Sequence, residues 1–339
     1  SFNEGIRYSQ WVINSRINSF NANTTSVGFA VYDDKGNQTK GRIDGKSVLD
    51  YVPGLVAKGI IEASQYYSQY DWAQAWAKPW FLSIKNYGDD FCNKYNSLGG
   101  SLDDLNAAKL YLPLRDLSAT GGKYADATTY GNTTTALDNA VTGLKKHNTD
   151  CVIKSGTTAE TEGYDVTGGW WHKTKYNNQM WLDGQYMGGV LLAQLINYKG
   201  SDGNIIGTDD WDIAVKQLNI VWNMCWNETY QLMYHAFDAN AGDKTLTDSH
   251  SETWAGLNSK EGIAKYQSST YWGRACGWYL LALVDMLEEM DKAGISKTDK
   301  KYTTIKNHLN DLAAGLNRWK DNTTGGWYQI LDEDGTFSA

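Results

Sequence analysis

Tyr302-Thr303-Thr304-Ile305-Lys306-Asn307-His308-Leu309-Asn310-Asp311-Leu312-Ala313-Ala314-Gly315-Leu316-Asn317-Arg318-Trp319 decides the fold class. Tyr302, Ile305, Leu309, Leu312, Leu316 and Trp319 return every three or four positions, which puts them on one face of an α-helix. The same stripe recurs in Trp211, Ala214, Leu218, Val221, Trp222 and Cys225, behind a Thr208-Asp209-Asp210 start signal. Ile6, Ile13, Ile17 and Phe20 form another near the N-terminus. This periodicity predicts about nine helices, over roughly 4–22, 47–68, 69–95, 103–117, 122–147, 183–198, 208–226, 271–291 and 298–319.

Two extended pieces, Gln231-Leu232-Met233-Tyr234-His235-Ala236-Phe237-Asp238 and Gly326-Trp327-Tyr328-Gln329-Ile330-Leu331, read as small hairpins, too few for a central sheet. No linker or low-complexity tract divides the chain, so residues 1–339 are expected to form a single domain. Helix pairs spaced about fifty residues apart, with polar and aromatic residues in the connections, point to a toroid of helical hairpins. An irregular α-bundle is the alternative.

Composition narrows the function. A net charge of -8 over 339 residues argues against nucleic acid, whose phosphates need a basic face. Cys92, Cys151, Cys225 and Cys276 are dispersed without a metal-ligand spacing, and are expected as free, mostly buried thiols. No apolar run is long enough to span a membrane. No GxSxG elbow, Walker loop, HExxH or Rossmann glycine pattern is present, so no metal or cofactor is expected. The chain opens at Ser1 without a Met, which fits removal of a signal peptide or trimming.

The chemistry concentrates in Gly168-Gly169-Trp170-Trp171-His172-Lys173, followed by Gln179-Met180-Trp181-Leu182-Asp183-Gly184. His, Lys and Asp are costly to bury without partners, so this mixture is foreign to ordinary core. It suits a sugar site, where flat rings stack on a pyranose and a few polar groups orient it. Asp183 at a helix start reads either as a capping residue or as an acid whose pKa is raised beside aromatic walls. Of Asp103-Asp104, one caps the helix that follows; the other could share a site with Asp183 and help to keep one carboxyl protonated. His235 lies among aromatics, as a structural or a substrate-binding histidine. Arg274, inside Tyr271-Trp272-Gly273-Arg274-Ala275-Cys276-Gly277-Trp278-Tyr279, is unfavourable for the dipole at a helix N-terminus. Either a structural ion pair or a bidentate contact to a substrate carboxylate would explain it.

These residues resemble the unsaturated rhamnogalacturonyl hydrolases of glycoside hydrolase family 105, relatives of the unsaturated glucuronyl hydrolases. The resemblance rests on Trp171-His172-Lys173, on Gln179 to Gly184 with Tyr186-Met187, and on Leu102-Asp103 before Pro113-Leu114. It continues through Tyr234-His235-Ala236, Trp272-Gly273-Arg274-Ala275 with Gly277-Trp278-Tyr279, and Trp327-Tyr328-Gln329. Gln185 departs from it, since an apolar residue is common after Leu-Asp-Gly in that family.

The resemblance implies an all-α (α/α)6 barrel acting as a glycoside hydrolase domain. Its substrate would be a lyase-generated oligosaccharide ending in a 4,5-unsaturated uronic acid, of rhamnogalacturonan or pectin type. The enzyme would hydrate the C4=C5 enol ether. It implies Asp183 as acid/base and Asp103 as its partner carboxylate. Tyr51, Trp181, Trp272 and Trp278 would stack on sugar, and His172, Lys173, His235 and Arg274 would make polar contacts. A bacterial periplasmic or secreted location is favoured over the cytoplasm. A non-catalytic sugar-binding protein and another (α/α)6 carbohydrate enzyme are the competing readings; retention of both aspartates speaks against the former. Oligomeric state is left open. Family members continue beyond the point where this sequence stops, at Thr336-Phe337-Ser338-Ala339. A six-hairpin toroid cut there would bare apolar helix faces, so further helices, from this chain or from another, are expected.

Overall fold

Helices carry most of the described residues, as the periodicity predicts, and the described strands are only two to five residues long. A computed structural model describes residues 10, 17–21, 26–29, 31–32, 38–39, 51–70, 100–200, 204–241, 254–256 and 265–333. Contacts divide the chain into two compact units, Ser1–Lys94 with Asp104–Ala140, and Tyr95–Asp103 with Val141–Ala339.

In the first unit β1 (Ile17–Asn21) pairs antiparallel with β2 (Ser26–Phe29), and β3 (Val31–Tyr32) with β4 (Gln38–Thr39). The helix expected over 4–22 is therefore corrected at its C-terminal end, which is strand. Ile17 and Phe20 satisfy a helical spacing, but cross-strand backbone pairing takes this segment instead. α1 (Tyr51–Tyr66) follows, with Ile60 and Ile61 buried against the helical turns from Ala107 to α2 (Tyr111–Ser118). α3 (Ala127–Asp150) starts at Asp126, whose carboxylate accepts from the N–H groups of Thr128 and Thr129. The helix expected over 69–95 and Cys92 lie outside the described residues, apart from one 3-10 turn at Ser68–Tyr70.

The second unit is organised around α4 (Val190–Lys199), which is buried on nearly every side from Val190 to Ile196 and packs on both α5 (Asp210–Cys225) and α6 (Gly273–Lys292). A helix apolar all round belongs in a core. Polar clamps fix its neighbours: Asn197 Nδ2 donates to Glu289 Oε2 at 2.6 Å, and Tyr279 OH donates to the Leu218 carbonyl at 2.8 Å. α7 (Lys300–Arg318) packs on α6, burying Tyr302, Ile305 and Leu312 of the stripe. It is capped by Asp299, whose carboxylate accepts from the Lys301 N–H at 2.7 Å. Cys151, Cys225 and Cys276 are free and buried.

The extended pieces differ from expectation. β6 (Trp226–Asn227) and β7 (Leu232–Met233) form a tight hairpin, but β8 (Ala236–Asp238) leaves it to pair with β5 (Gln179–Trp181). Residues 326–331 form no hairpin; Ile330 bridges Trp272 instead. The local turn signals were real, but the strand partners are distant in sequence.

Candidate active site

Backbone geometry brings the two halves of the site together. Trp181 pairs with Ala236 in the β5–β8 ladder, and the Leu182 N–H donates to the His235 carbonyl at 3.0 Å. Immediately after β5 the chain turns into a helix with Trp181 at its N-cap, so Asp183 falls in the first turn beside His235. Asp183 Oδ2 accepts from His235 Nε2 at 2.9 Å. On the other side, Ser101 bridges Lys173, and the Leu102 N–H donates to the His172 carbonyl. That register sets Asp103 Oδ1 3.3 Å from His172 Nε2 and Oδ2 2.9 Å from Lys173 Nζ.

Trp181 joins the two pairs. Its ring stacks on His172 with centroids 4.6 Å apart and on Tyr176 at 5.2 Å, and meets His235 edge-on at 5.2 Å. The string continues outward: His235 meets the edge of Trp272 at 4.9 Å, and the Arg274 guanidinium lies 4.0 Å over the Trp272 ring. Arg274 is exposed, and among the described residues no carboxylate lies within ion-pairing distance of it. The structural ion pair that could have explained this residue is not among the described contacts. Trp278 meets Tyr186 at 5.1 Å, and Tyr51 opens α1 in the first unit.

Two electrostatic expectations are corrected. Burial alone would raise the Asp183 pKa, but the hydrogen bond and charge of His235, helped by His172, outweigh it and lower it. Burial likewise opposes ionisation of Asp103, yet His172 and then Lys173 hold its carboxyl well below the usual range. Each aspartate has its own partner, His235 for Asp183 and His172 with Lys173 for Asp103, so the two carboxyls do not hold each other protonated. His172 is only 2% exposed; its Nε2 faces Asp103 and its ring stacks on Trp181, while its buried Nδ1 has no hydrogen-bond partner among the described residues. Nor does either aspartate act simply as an N-cap: Ser101 Oγ accepts the Asp103 N–H, and Trp181 holds the N-cap position before Asp183. Asp103 is the carboxylate that meets His172 and Lys173.

Buried polar residues that the sequence analysis passed over hold this frame. Gln217, on the apolar face of α5 with Ala214, Leu218 and Val221, accepts from the Trp170 N–H at 2.7 Å and donates to the Gly168 carbonyl at 3.0 Å. His147 Nε2 lies 2.9 Å from the Trp171 carbonyl. A polar residue at a core-facing helical position was the signal that could have found Gln217. Gly184 and Gly188 give the helix its close approach, since a Cβ at either would press on Leu102, and at Gly184 on His172 Nδ1 as well. Among the described residues no group of three or more His, Cys, Asp or Glu side chains could hold a metal ion.

Burial lowers the His147 pKa to about 4 against the opposing Trp171 hydrogen bond, and burial lowers that of His308 to about 4 as well. Each unfolded imidazole takes up a proton near pH 6.5, above the pH at which the folded one does. Their contribution is therefore intact above pH 6.5 and is lost as pH falls from there towards 4. For the fully buried His147 the full shift corresponds to roughly 3 kcal/mol. Melting temperature is expected to fall over that interval, and His147→Gln is expected to flatten the fall. An unchanged slope in the variant would remove His147 from the account.

The amino-acid sequence matches the family model described as Glycosyl Hydrolase Family 88 over residues 29–339. The chain belongs to glycosyl hydrolase family 88. A structure of a glycoside hydrolase from family 105 of C. acetobutylicum ATCC 824 is similar to it, with a TM-score of 0.57 at 25% identity, over 84% of this chain and 64% of that one. A possible member of family 105 from Salmonella enterica serovar Paratyphi A gives 0.55 at 14% identity, over 99% of this chain and 73% of that one. One from Klebsiella pneumoniae gives 0.53 at 13%, over 99% and 72%. The chain thus spans 64% of the length of the C. acetobutylicum protein. The likenesses fit an (α/α)6 architecture. No helix among the described residues is long and apolar enough to cross a membrane.

Proposed function

We propose that this protein removes a 4,5-unsaturated uronic acid from the non-reducing end of lyase-generated oligosaccharides, with rhamnogalacturonan- or pectin-derived chains as the substrates. The reading is carried by one observation: an unbroken string from Asp183 through His235 and Trp272 to the exposed Arg274. It offers a proton-handling pair at one end and a planar cation for a carboxylate at the other. Such a sugar needs both, because its reacting double bond adjoins its carboxylate.

In this reading Asp183 delivers a proton to C4, and positive charge develops at C5 and the ring oxygen. Asp183 rests as a carboxylate, so it must first be loaded; the arriving uronate carries negative charge, which raises the proton affinity of a neighbouring carboxylate. Water then bonds to C5 and returns a proton to Asp183. The C5 hemiketal opens to a ketone, and collapse at C1 releases the remaining sugar as an alcohol. Asp103, kept ionised by His172 and Lys173, supplies fixed negative charge to the developing cation. His172 acts through Asp103 and Trp181. Trp272 and Trp278 offer rings to the sugar.

The test is the ultraviolet absorbance of the unsaturated uronate, followed in lyase digests of several polysaccharides. Loss of absorbance in pectin-type digests supports the proposal; no loss in any digest overturns it. Arg274→Lys is expected to lower kcat/KM by about tenfold or more on the free acid, since a point charge cannot reproduce the planar fork. The methyl ester should be much less affected. An equal loss on both substrates would make Arg274 structural.

A further inference from the structure

The helix that carries Asp183 does not begin as a regular α-helix. The Gln185 N–H donates to the Leu182 carbonyl, and residues Gln185–Gly189 form a π-helical turn before α4 resumes. Such turns are rare and gather at functional positions. In a regular α-helix the N–H of residue 185 would serve the carbonyl of residue 181. Here the Gln185 side chain reaches that carbonyl instead, with Nε2 3.3 Å from Trp181 O.

Gln185 is only 2% exposed, and its Oε1 is buried without a hydrogen-bond partner among the described residues. A methionine would fill the same space and leave no acceptor stranded. An amide retained under that penalty needs a use, and the one it makes is the bond to Trp181. The carbonyl so held stands two residues before Asp183, at the junction of β5 and the helix.

We propose that Gln185 is a positioning residue: its amide fixes the Trp181–Gly184 turn, and so the placement of Asp183 against His235. The catalytic part rests on the function proposed above; the placement does not. The groups acting on Asp183 come from three segments. His235 follows β7, His172 precedes β5, and Cys276 on α6 senses the Asp183 charge. Asp103 and Lys173 stand behind His172.

Gln185→Met and Gln185→Glu test the role. Small misplacements of a reacting group can cost about a hundredfold, so the Met variant is expected to lose about tenfold to a hundredfold in kcat with KM little changed. The Glu variant can donate to Trp181 only while protonated. It should work best in acid and lose activity as pH rises through its own titration, a limb absent from the parent profile. Should the Met variant not fold, the Glu profile alone decides. Wild-type kcat and pH dependence in a folded variant would overturn the proposal.

The His235 imidazole titration, followed by NMR without substrate, separates this inference from the proposed reaction. If no unsaturated uronate is a substrate but the titration shifts in both variants, the reaction proposal fails and the positioning holds. An unmoved titration in both variants overturns the positioning, whatever the substrate proves to be.

Discussion

Asp183→Asn is expected to cut turnover of unsaturated oligosaccharide by about a hundredfold to ten-thousandfold, the usual worth of a positioned general acid. Asn keeps the shape, and its Oδ1 can still accept from His235 Nε2, which Asp183 now binds at 2.9 Å. The β5–β8 ladder and the helix start do not depend on the charge, so melting temperature should change little. What is lost is the capacity to carry a proton between C4 and water. The absorbance assay on purified variant, beside a melting curve, checks both halves. Turnover within a few-fold of wild type would remove Asp183 from the acid's role.

Among substitutions, a large loss of stability at neutral pH is expected at Gly315. It lies in the interior of α7, where glycine is intrinsically unfavourable by about 1 kcal/mol relative to alanine. The reason for tolerating it is contact: an added Cβ would run into the carbonyl oxygen of Gln231, a residue itself held at φ 54°. Two further bonds clamp the same turn, from Arg318 to the Thr229 carbonyl and from Trp319 Nε1 to the Tyr230 carbonyl. Backbone on both sides cannot swing aside as a flexible side chain would. Gly315→Ala therefore should destabilise by roughly 2 kcal/mol net of the gain in helix propensity. A melting temperature lower by about 3 °C is the expected reading. Because this turn lies on the β6–β7 hairpin that leads to His235, activity should fall as well. An unchanged melting curve would show that the turn yields freely.

Local signals were legible and pairings were not. The stripes from Tyr302 and from Trp211 became α7 and α5, because a 3.6-residue period is written within the helix itself. Ile17 and Phe20 misled because so few apolar residues fit more than one period, and Ile17–Asn21 found a strand partner. In the site, Trp181, Asp183, His235 and Arg274 stood out as residue types, but nothing in the sequence fixed which imidazole would meet which carboxylate. The sign of the Asp183 shift followed from that: aromatic walls alone would raise the pKa, and the unanticipated His235 reverses it. Gln217 was overlooked, and Gln185 stood out only as a departure from the family pattern, because single polar residues within helices carry little local signal; their meaning lies in the carbonyls they reach.

Asp183 and His235 are separated by 52 positions along the chain. Between them lie α4, α5 and the β6–β7 hairpin, all of which must be in place before the two side chains can meet. Closing so long a segment is a matter of chain entropy, whereas each helix can draw on neighbours a few residues away. Helical content and chemical competence are therefore acquired by different kinds of contact. A newly made chain can be largely helical and still have no site; the acid receives its histidine only when the intervening layers have docked.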